Sequence, residues 1–132
     1  MIGPLLKLTK IWVIGMTLAG ALAATAIKQQ GTLTLFILAI VLGFVAPPIH
    51  LLSALQGEGP RRWQRGGFTA GFMIGIFNGV IWLGTYGSHR PADWDAIEHA
   101  MFFGPILAAP LIGVIAGRLA DRVVVVSHRP QS

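Results

Sequence analysis

The chain has 132 residues, of which 54% are hydrophobic and 11% are charged, with a net charge of +5 and no cysteine. A charged fraction less than half of the roughly 25% usual in soluble domains, with a mean hydropathy of +0.69, indicates an integral membrane protein. The absence of cysteine excludes disulfides and thiolate chemistry. Nucleic-acid binding is excluded because the basic residues flank apolar runs and form no patch with interleaved aromatic residues.

The first apolar run covers residues 11–27 and follows the basic residues Lys7 and Lys10. At ~1.5 Å per residue this run is shorter than the ~30 Å hydrocarbon core of a bilayer. We therefore expect the helix to begin near Leu5, with the lysine side chains extended toward the membrane surface. The predicted first transmembrane helix spans residues 5–27.

The second predicted span, residues 32–55, contains the pair Pro47-Pro48. Proline lacks a backbone N–H and disfavours helical geometry in the residue before it, so we expect a kink or a stop near Ala46. Two interpretations of residues 49–56 stay open, a continuation of the same helix or a short interfacial segment.

The third predicted span, residues 66–87, has no charged residue and a glycine at every fourth position: Gly67, Gly71, Gly75 and Gly79. In a bilayer such a run still forms a helix, because the backbone has to satisfy its own hydrogen bonds. The spacing of four places the glycines on one side, where another helix can approach the backbone closely. Bulky residues one position later form an adjacent ridge: Phe68, Phe72, Ile76 and Val80.

The fourth predicted span, residues 97–118, carries a second small-residue stripe: Ala109, Gly113 and Gly117. Directly after it, Arg118, Asp121 and Arg122 are spaced to pair with one another. Together the four runs predict an all-α integral membrane protein, a single domain over residues 1–132. We expect four antiparallel transmembrane helices with short loops, packed through the glycine stripes.

The basic residues are distributed unevenly between the two sides of this predicted bundle. The N-terminus, the loop 57–65 and the C-terminal tail hold all but two, Lys28 and Arg90, of the ten Lys and Arg residues. The positive-inside rule places the basic side in the cytoplasm. We therefore expect both termini to be cytoplasmic and the location to be a bacterial inner membrane, with Trp63 of the loop at headgroup level.

The most polar predicted loop carries four candidates for an external metal or proton site: His89, Asp95, Glu98 and His99. The last three are spaced to share one helix face, where carboxylates and an imidazole can bind a divalent metal or relay protons. Asp95 and Glu98 also match a capping box, with the aspartate as N-cap. We favour capping because no established ligand spacing is present, and the identity of any metal stays open.

Two polar residues inside the predicted spans are candidates for a polar path or a ligand site, His50 and Asn78. His50 could ligate a haem or another pigment or carry protons. The alternative, which we favour, is a hydrogen bond to a backbone carbonyl freed by the prolines. Asn78 could face a polar path for an ion or solute, or it could hydrogen-bond across helices.

No Asp, Glu, Lys or Arg lies in the middle of any predicted span. Proton-coupled and cation-coupled carriers usually keep an ionisable residue there, and an enzyme needs positioned acids, bases or a metal. We therefore predict that the protein is not an enzyme and has no catalytic residue. The favoured function is a non-catalytic accessory subunit or assembly partner of a larger membrane complex, which contributes helix-packing surface through a glycine zipper.

The alternative function is a small homo-oligomeric channel or transporter for an ion or small solute. The predicted partners are membrane lipids and other transmembrane subunits or copies of the chain, with no nucleic acid. The chain has no cofactor motif, and its apolar surface is suited to contact with lipid or pigment.

Overall fold

The computed structural model describes residues 2–27, 32–85 and 96–128 of the chain. Within these ranges the chain forms four helices: α1 Ile2–Ile27, α2 Thr32–Gln56, α3 Arg62–Thr85 and α4 Ala96–His128. The all-α prediction is confirmed for the described residues.

All four helices have the length and hydropathy of membrane spans. The segments that meet both requirements are Ile2–Ala23, Phe36–Gln56, Arg62–Gly84 and Phe102–Val123. Large apolar side chains remain exposed on the outer faces, including Leu18, Phe44, Phe77 and Leu111. Lipid tails are as apolar as these side chains, so such a surface suits a bilayer and not water.

The helices form an antiparallel bundle in which each helix packs on the next and α4 closes against α1. The contact between α1 and α2 is close, since a Cβ atom on Gly43 would lie 3.2 Å from the Cα atom of Val13. The contact between α1 and α4 places Gly15 against Ile112. The most extensive packing is between α3 and α4.

Among the residues whose side chains the structure describes, the largest wholly buried ones lie toward one end of the bundle: Leu8, Trp12, Pro47 and His50. This end comprises the start of α1, the end of α2, the start of α3 and the end of α4. We call it the basic end, because it holds all the Lys and Arg residues of the described ranges: Lys7, Lys10, Arg61, Arg62, Arg65, Arg118 and Arg122.

Helix α2 does not stop at its proline pair. It is helical on both sides of Pro47 and Pro48 and ends at Gln56, so residues 49–56 continue the same helix, which is one of the two interpretations left open by the sequence. Pro47 is wholly buried, and His50 is anchored one turn later by hydrogen bonds to two other helices. This packing holds the helix together where the prolines remove backbone hydrogen bonds.

The other three helices also extend beyond the predicted spans, and α1 begins at Ile2, three residues before the expected start at Leu5. Helix α3 begins at Arg62, one turn before the expected start at Gly66, and α4 continues past residue 118 to His128. The early start of α3 has a tertiary cause, because a carboxylate of α4 binds its first backbone amides. The added turns lie on the polar side of the apolar runs, where hydropathy alone does not define a helix end.

Candidate functional site

His50 is the centre of a hydrogen-bonded site in the core of the basic end. Its side chain is 0% exposed. The indole Nε1–H of Trp12 donates to His50 Nδ1 at 3.1 Å, and His50 Nε2 lies 2.7 Å from the backbone oxygen of Trp63. A carbonyl oxygen can only accept, so Nε2 carries the proton and Nδ1 is the acceptor. The imidazole is therefore neutral, and both of its ring nitrogens have partners.

The hydrogen bonding continues from α3 to α4. The backbone N–H of Trp63 donates to Asp121 Oδ1, and the N–H of Gln64 donates to Oδ2, each at 3.2 Å. These amides belong to the first turn of α3, where no carbonyl of the same helix can accept them. Asp121 takes the place of an N-cap side chain, a role that Arg61, which precedes the helix, cannot fill.

The contacts of Trp12, His50, Trp63 and Asp121 form one series that includes every helix of the bundle once. We call it the four-helix series. Each link joins helices that are neighbours in sequence, from α1 to α4. The series contains the one polar side chain that is wholly buried among the described residues, and it satisfies that side chain on both sides.

The glycines of α3 and α4 make room for the four-helix series. A Cβ atom on Gly67 would lie 2.6 Å from His50 Cε1 and would overlap the backbone of Gly113. A Cβ on Gly113 would lie 3.1 Å from Trp12 Cζ2, and Gly117 lies against the carbonyl of Trp63. Because these positions have no side chain, α4 can lie close to the imidazole of His50 and to the backbone of Trp63, whose carbonyl His50 binds.

The rest of the predicted stripe also lies between α3 and α4. Gly71 faces the backbone of Ala109, and a Cβ on Gly75 would lie 2.8 Å from the Cα atom of Ile106. Gly79 faces the side chains of Ile106 and Phe102. The two small-residue stripes therefore meet within one chain and are not an outer surface.

The bulky ridge of α3 faces outward. Its members Phe68, Phe72, Ile76 and Val80 are 52%, 47%, 43% and 60% exposed. The rings of Phe68 and Phe72 stack with their centroids 6.2 Å apart and their planes inclined by 14°. Helix α3 thus packs on the backbone of α4 through its glycines, and on its outer side it presents two aromatic rings that already stack on each other.

The surroundings of the four-helix series are charged on the rim and apolar within. Arg62 and Arg65 lie within electrostatic range of the Asp121 carboxylate. The guanidinium of Arg65 donates to the backbone carbonyl of Glu58 across the loop between α2 and α3. The indole N–H of Trp63 is buried without a hydrogen-bond partner among the described residues, unlike that of Trp12.

This arrangement restricts what His50 can do chemically. A metal or haem ligand needs a free nitrogen lone pair, and the one on Nδ1 is occupied by the indole of Trp12. The carbonyl that His50 binds belongs to Trp63 of α3, and not to the segment of α2 freed by its prolines. The geometry therefore gives His50 a positioning role between helices.

The predicted external site lies largely outside the described residues. His89 and Asp95 fall there, and Glu98 lies in α4 with its side chain outside the description. His99 is half-buried, and its ring stacks on Phe103 with centroids 6.3 Å apart. Within the part of the chain that the structure describes, no three His, Asp or Glu residues come together as a metal site.

Asn78 and Thr69 are two polar side chains of α3 that a polar path could use, and their surroundings differ. Asn78 is half-buried next to the α3–α4 contact at Gly79. Thr69 is exposed and donates its hydroxyl to the carbonyl of Arg65 on its own helix. The two residues therefore do not form a continuous polar surface.

An open cleft of about 690 Å³ lies at the basic end beside the four-helix series. Arg61, Gln64 and Arg65 supply its polar lining, while Phe68 and Val114 supply apolar lining. The cleft follows α3 from its first turn into the span, so it changes from basic to apolar along its length.

The hydrogen bonds of two members of the four-helix series, Trp12 and Asp121, were not predicted from the sequence. Trp12 lies between Leu8 and Met16 at helical spacing, a pattern that marks a buried face but not a hydrogen bond. Asp121 was expected to pair with its arginine neighbours on α4, and its oxygens instead accept backbone amides of α3. Comparison with protein-family models, curated proteins and solved structures finds no match for the chain.

Proposed function

We propose that the protein is a non-catalytic integral membrane subunit, or assembly partner, of a larger membrane complex. The observation that carries this proposal is the saturation of His50, whose two ring nitrogens are both bound within the chain. The wholly buried polar group of the described bundle is therefore used to fix the helices relative to one another.

An enzyme or a coupled carrier would need a polar atom free to bind substrate or exchange protons. The carboxylate of Asp121 accepts two backbone amides. Thr69 is bound to its own helix. These contacts support a rigid element whose contribution to the complex is its surface.

The ridge of α3 is the surface that we assign to the partner, another transmembrane subunit. The stripe glycines Gly67, Gly71, Gly75 and Gly79 are already in contact with α4, so this face of α3 is not available to a second chain. The stacked pair Phe68 and Phe72 presents large aromatic surface whose relative orientation is already set. Such preorganisation lowers the ordering cost of helix association.

The orientation that accompanies this function follows from charge. We place the basic end in the cytoplasm and the protein in a bacterial inner membrane, because Lys and Arg residues concentrate on cytoplasmic sides. All Lys and Arg residues of the described ranges lie at that end.

Site-specific photocrosslinking tests the function. A benzoylphenylalanine is introduced at Phe72 or Ile76 of the ridge, or at Leu18 or Leu22, which are exposed on α1. We expect the ridge positions to give a discrete crosslinked product with a different polypeptide in native membranes, and the α1 positions to give none.

Crosslinks to lipid alone at every position would contradict the proposal. Crosslinks from the ridge to a second copy of the chain would replace it by the homo-oligomeric channel or transporter. In that case solute flux into reconstituted vesicles would be measured next, with Asn78→Ala as the first variant.

A further inference from the structure

The cleft at the basic end has the two chemical halves of a phospholipid site. Its basic half contains Arg61, which directly precedes α3, and Arg65 in the first turn of that helix. Its apolar half contains Phe68, one turn further into the span, and Val114 of the neighbouring helix α4. The volume of about 690 Å³ is sufficient for a headgroup and the adjoining part of an acyl chain.

We propose that this cleft binds an anionic glycerophospholipid from the leaflet at the basic end. The phosphate lies on the guanidinium groups of Arg61 and Arg65, and an acyl chain lies along Phe68 and Val114. All lining residues of this site belong to the chain, so lipid binding does not require the protein partner proposed above, although the cleft and the ridge share Phe68.

Arginine is suited to this role because its planar guanidinium can donate two parallel hydrogen bonds to a phosphate. The guanidinium of Arg65 is already held by the carbonyl of Glu58, so its position is defined before a ligand arrives. The side-chain amide of Gln64 adds a donor to the same lining. The backbone N–H groups of Trp63 and Gln64 in the first turn of α3 do not contribute to phosphate binding, because both already donate to the carboxylate of Asp121.

The charge of the loop favours an anion over a zwitterion. Residues 57–65 carry three arginines against the single acid Glu58. Basic pockets between transmembrane helices on the cytoplasmic side characteristically bind anionic headgroups. The apolar wall then distinguishes a lipid from free phosphate, since inorganic phosphate would gain nothing from Phe68 or Val114.

Native mass spectrometry of the full chain, released from detergent, tests the site. The protein is incubated with dioleoyl phosphatidylglycerol or dioleoyl phosphatidylcholine, which share the same acyl chains. We expect one retained phosphatidylglycerol, with a retention at least about 10-fold above that of phosphatidylcholine, as two arginine contacts near a membrane surface would give.

The variant Arg61→Gln/Arg65→Gln should lose at least about 10-fold of that retention. The matched control is Lys7→Gln/Lys10→Gln, which removes the same charge from the same end of the bundle but from α1, outside the cleft. The single variant Arg61→Gln keeps the Arg65–Glu58 contact, and thermal unfolding of each variant verifies its fold. Equal loss in the lysine control, or equal retention of the two lipids, would overturn the proposal.

A third arm separates lipid from free phosphate. The substitution Phe68→Ala should weaken retention of phosphatidylglycerol, and excess inorganic phosphate should not displace the lipid from the unsubstituted chain. Complete displacement by inorganic phosphate, together with no effect of Phe68→Ala, would show an anion site without lipid specificity and would overturn the assignment.

Discussion

The indole N–H of Trp12 donates to Nδ1 of His50 at 3.1 Å, and this contact determines where the imidazole proton lies. With Nδ1 accepting, the proton is on Nε2, which donates to the carbonyl of Trp63 at 2.7 Å. We predict the neutral Nε2–H tautomer at neutral pH. Nitrogen-15 NMR of the histidine-labelled protein in detergent micelles identifies the tautomer, because protonated and unprotonated ring nitrogens resonate in separate spectral regions. A protonated Nδ1 at His50 would contradict the four-helix series.

The two tryptophans of the series should respond differently to the same substitution. Trp12→Phe removes the donor to His50 and leaves a buried acceptor unpaired, at an expected cost of about 1–3 kcal/mol. Trp63→Phe removes an indole N–H that has no partner in the part of the chain that the structure describes, and the backbone N–H and C=O of residue 63 stay in place. We expect the loss of unfolding free energy to be smaller for Trp63→Phe. Equilibrium unfolding in mixed micelles compares the two, and equal losses would contradict the assigned hydrogen bonds.

The cap on α3 should be measurable as local protection of two amides. Asp121→Ala leaves the N–H groups of Trp63 and Gln64 without acceptors, and the loss of a cap typically costs about 0.5–2 kcal/mol. We expect faster hydrogen exchange at these two amides. Arg122→Ala, at an exposed neighbouring position, is the control and should leave that exchange unchanged. Unaltered exchange in Asp121→Ala would show that the first turn of α3 is stabilised by something else.

The glycines should separate into two classes on conversion to alanine. At Gly67 a Cβ would overlap the backbone of Gly113 and crowd His50, so Gly67→Ala should destabilise the bundle by about 1–3 kcal/mol or more. At Gly104 a Cβ would meet no atom within 4 Å. Gly104→Ala should therefore be neutral or stabilising by up to about 1 kcal/mol, the difference in helix propensity. Equilibrium unfolding in mixed micelles measures the change in unfolding free energy for both variants. Similar changes would contradict the close contact between the backbones of α3 and α4.

The proposed orientation can be tested with single cysteines, because the chain has no native cysteine. Glu58→Cys lies in the loop of the basic end, and Ser88→Cys lies in the segment between α3 and α4. We expect a membrane-impermeant maleimide to label Ser88→Cys in cells with a permeabilised outer membrane, and Glu58→Cys only after the inner membrane is opened. The reverse labelling pattern would place the termini outside.

The helical fold was predictable because hydropathy is a local property of the chain. Four apolar runs of sufficient length specify four helices whatever their neighbours are. The course of α2 past its proline pair and the start of α3 were not predictable in the same way. The continuation through Pro47 depends on anchoring of His50 by other helices, and the start at Arg62 depends on Asp121, which is distant in sequence.

The site was only partly accessible from the sequence for the same reason. The stripe of α3 could be identified from its spacing, but nothing local shows that Gly67 faces both Gly113 and the ring of His50. His50 stood out as a polar residue in an apolar run. Its donor Trp12 did not, because an aromatic residue in an apolar run has no distinguishing feature until its partner is known.

The order of the four-helix series along the chain has a consequence for biosynthesis. The polar contacts follow the order of synthesis, with Trp12 emerging before His50, then Trp63, and Asp121 last. Each newly inserted helix therefore brings the partner for a polar group that an earlier helix has already carried into the bilayer. A chain arrested before Asp121 would possess the first three members but would leave the opening turn of α3 uncapped, so closure of the bundle requires the synthesis of α4.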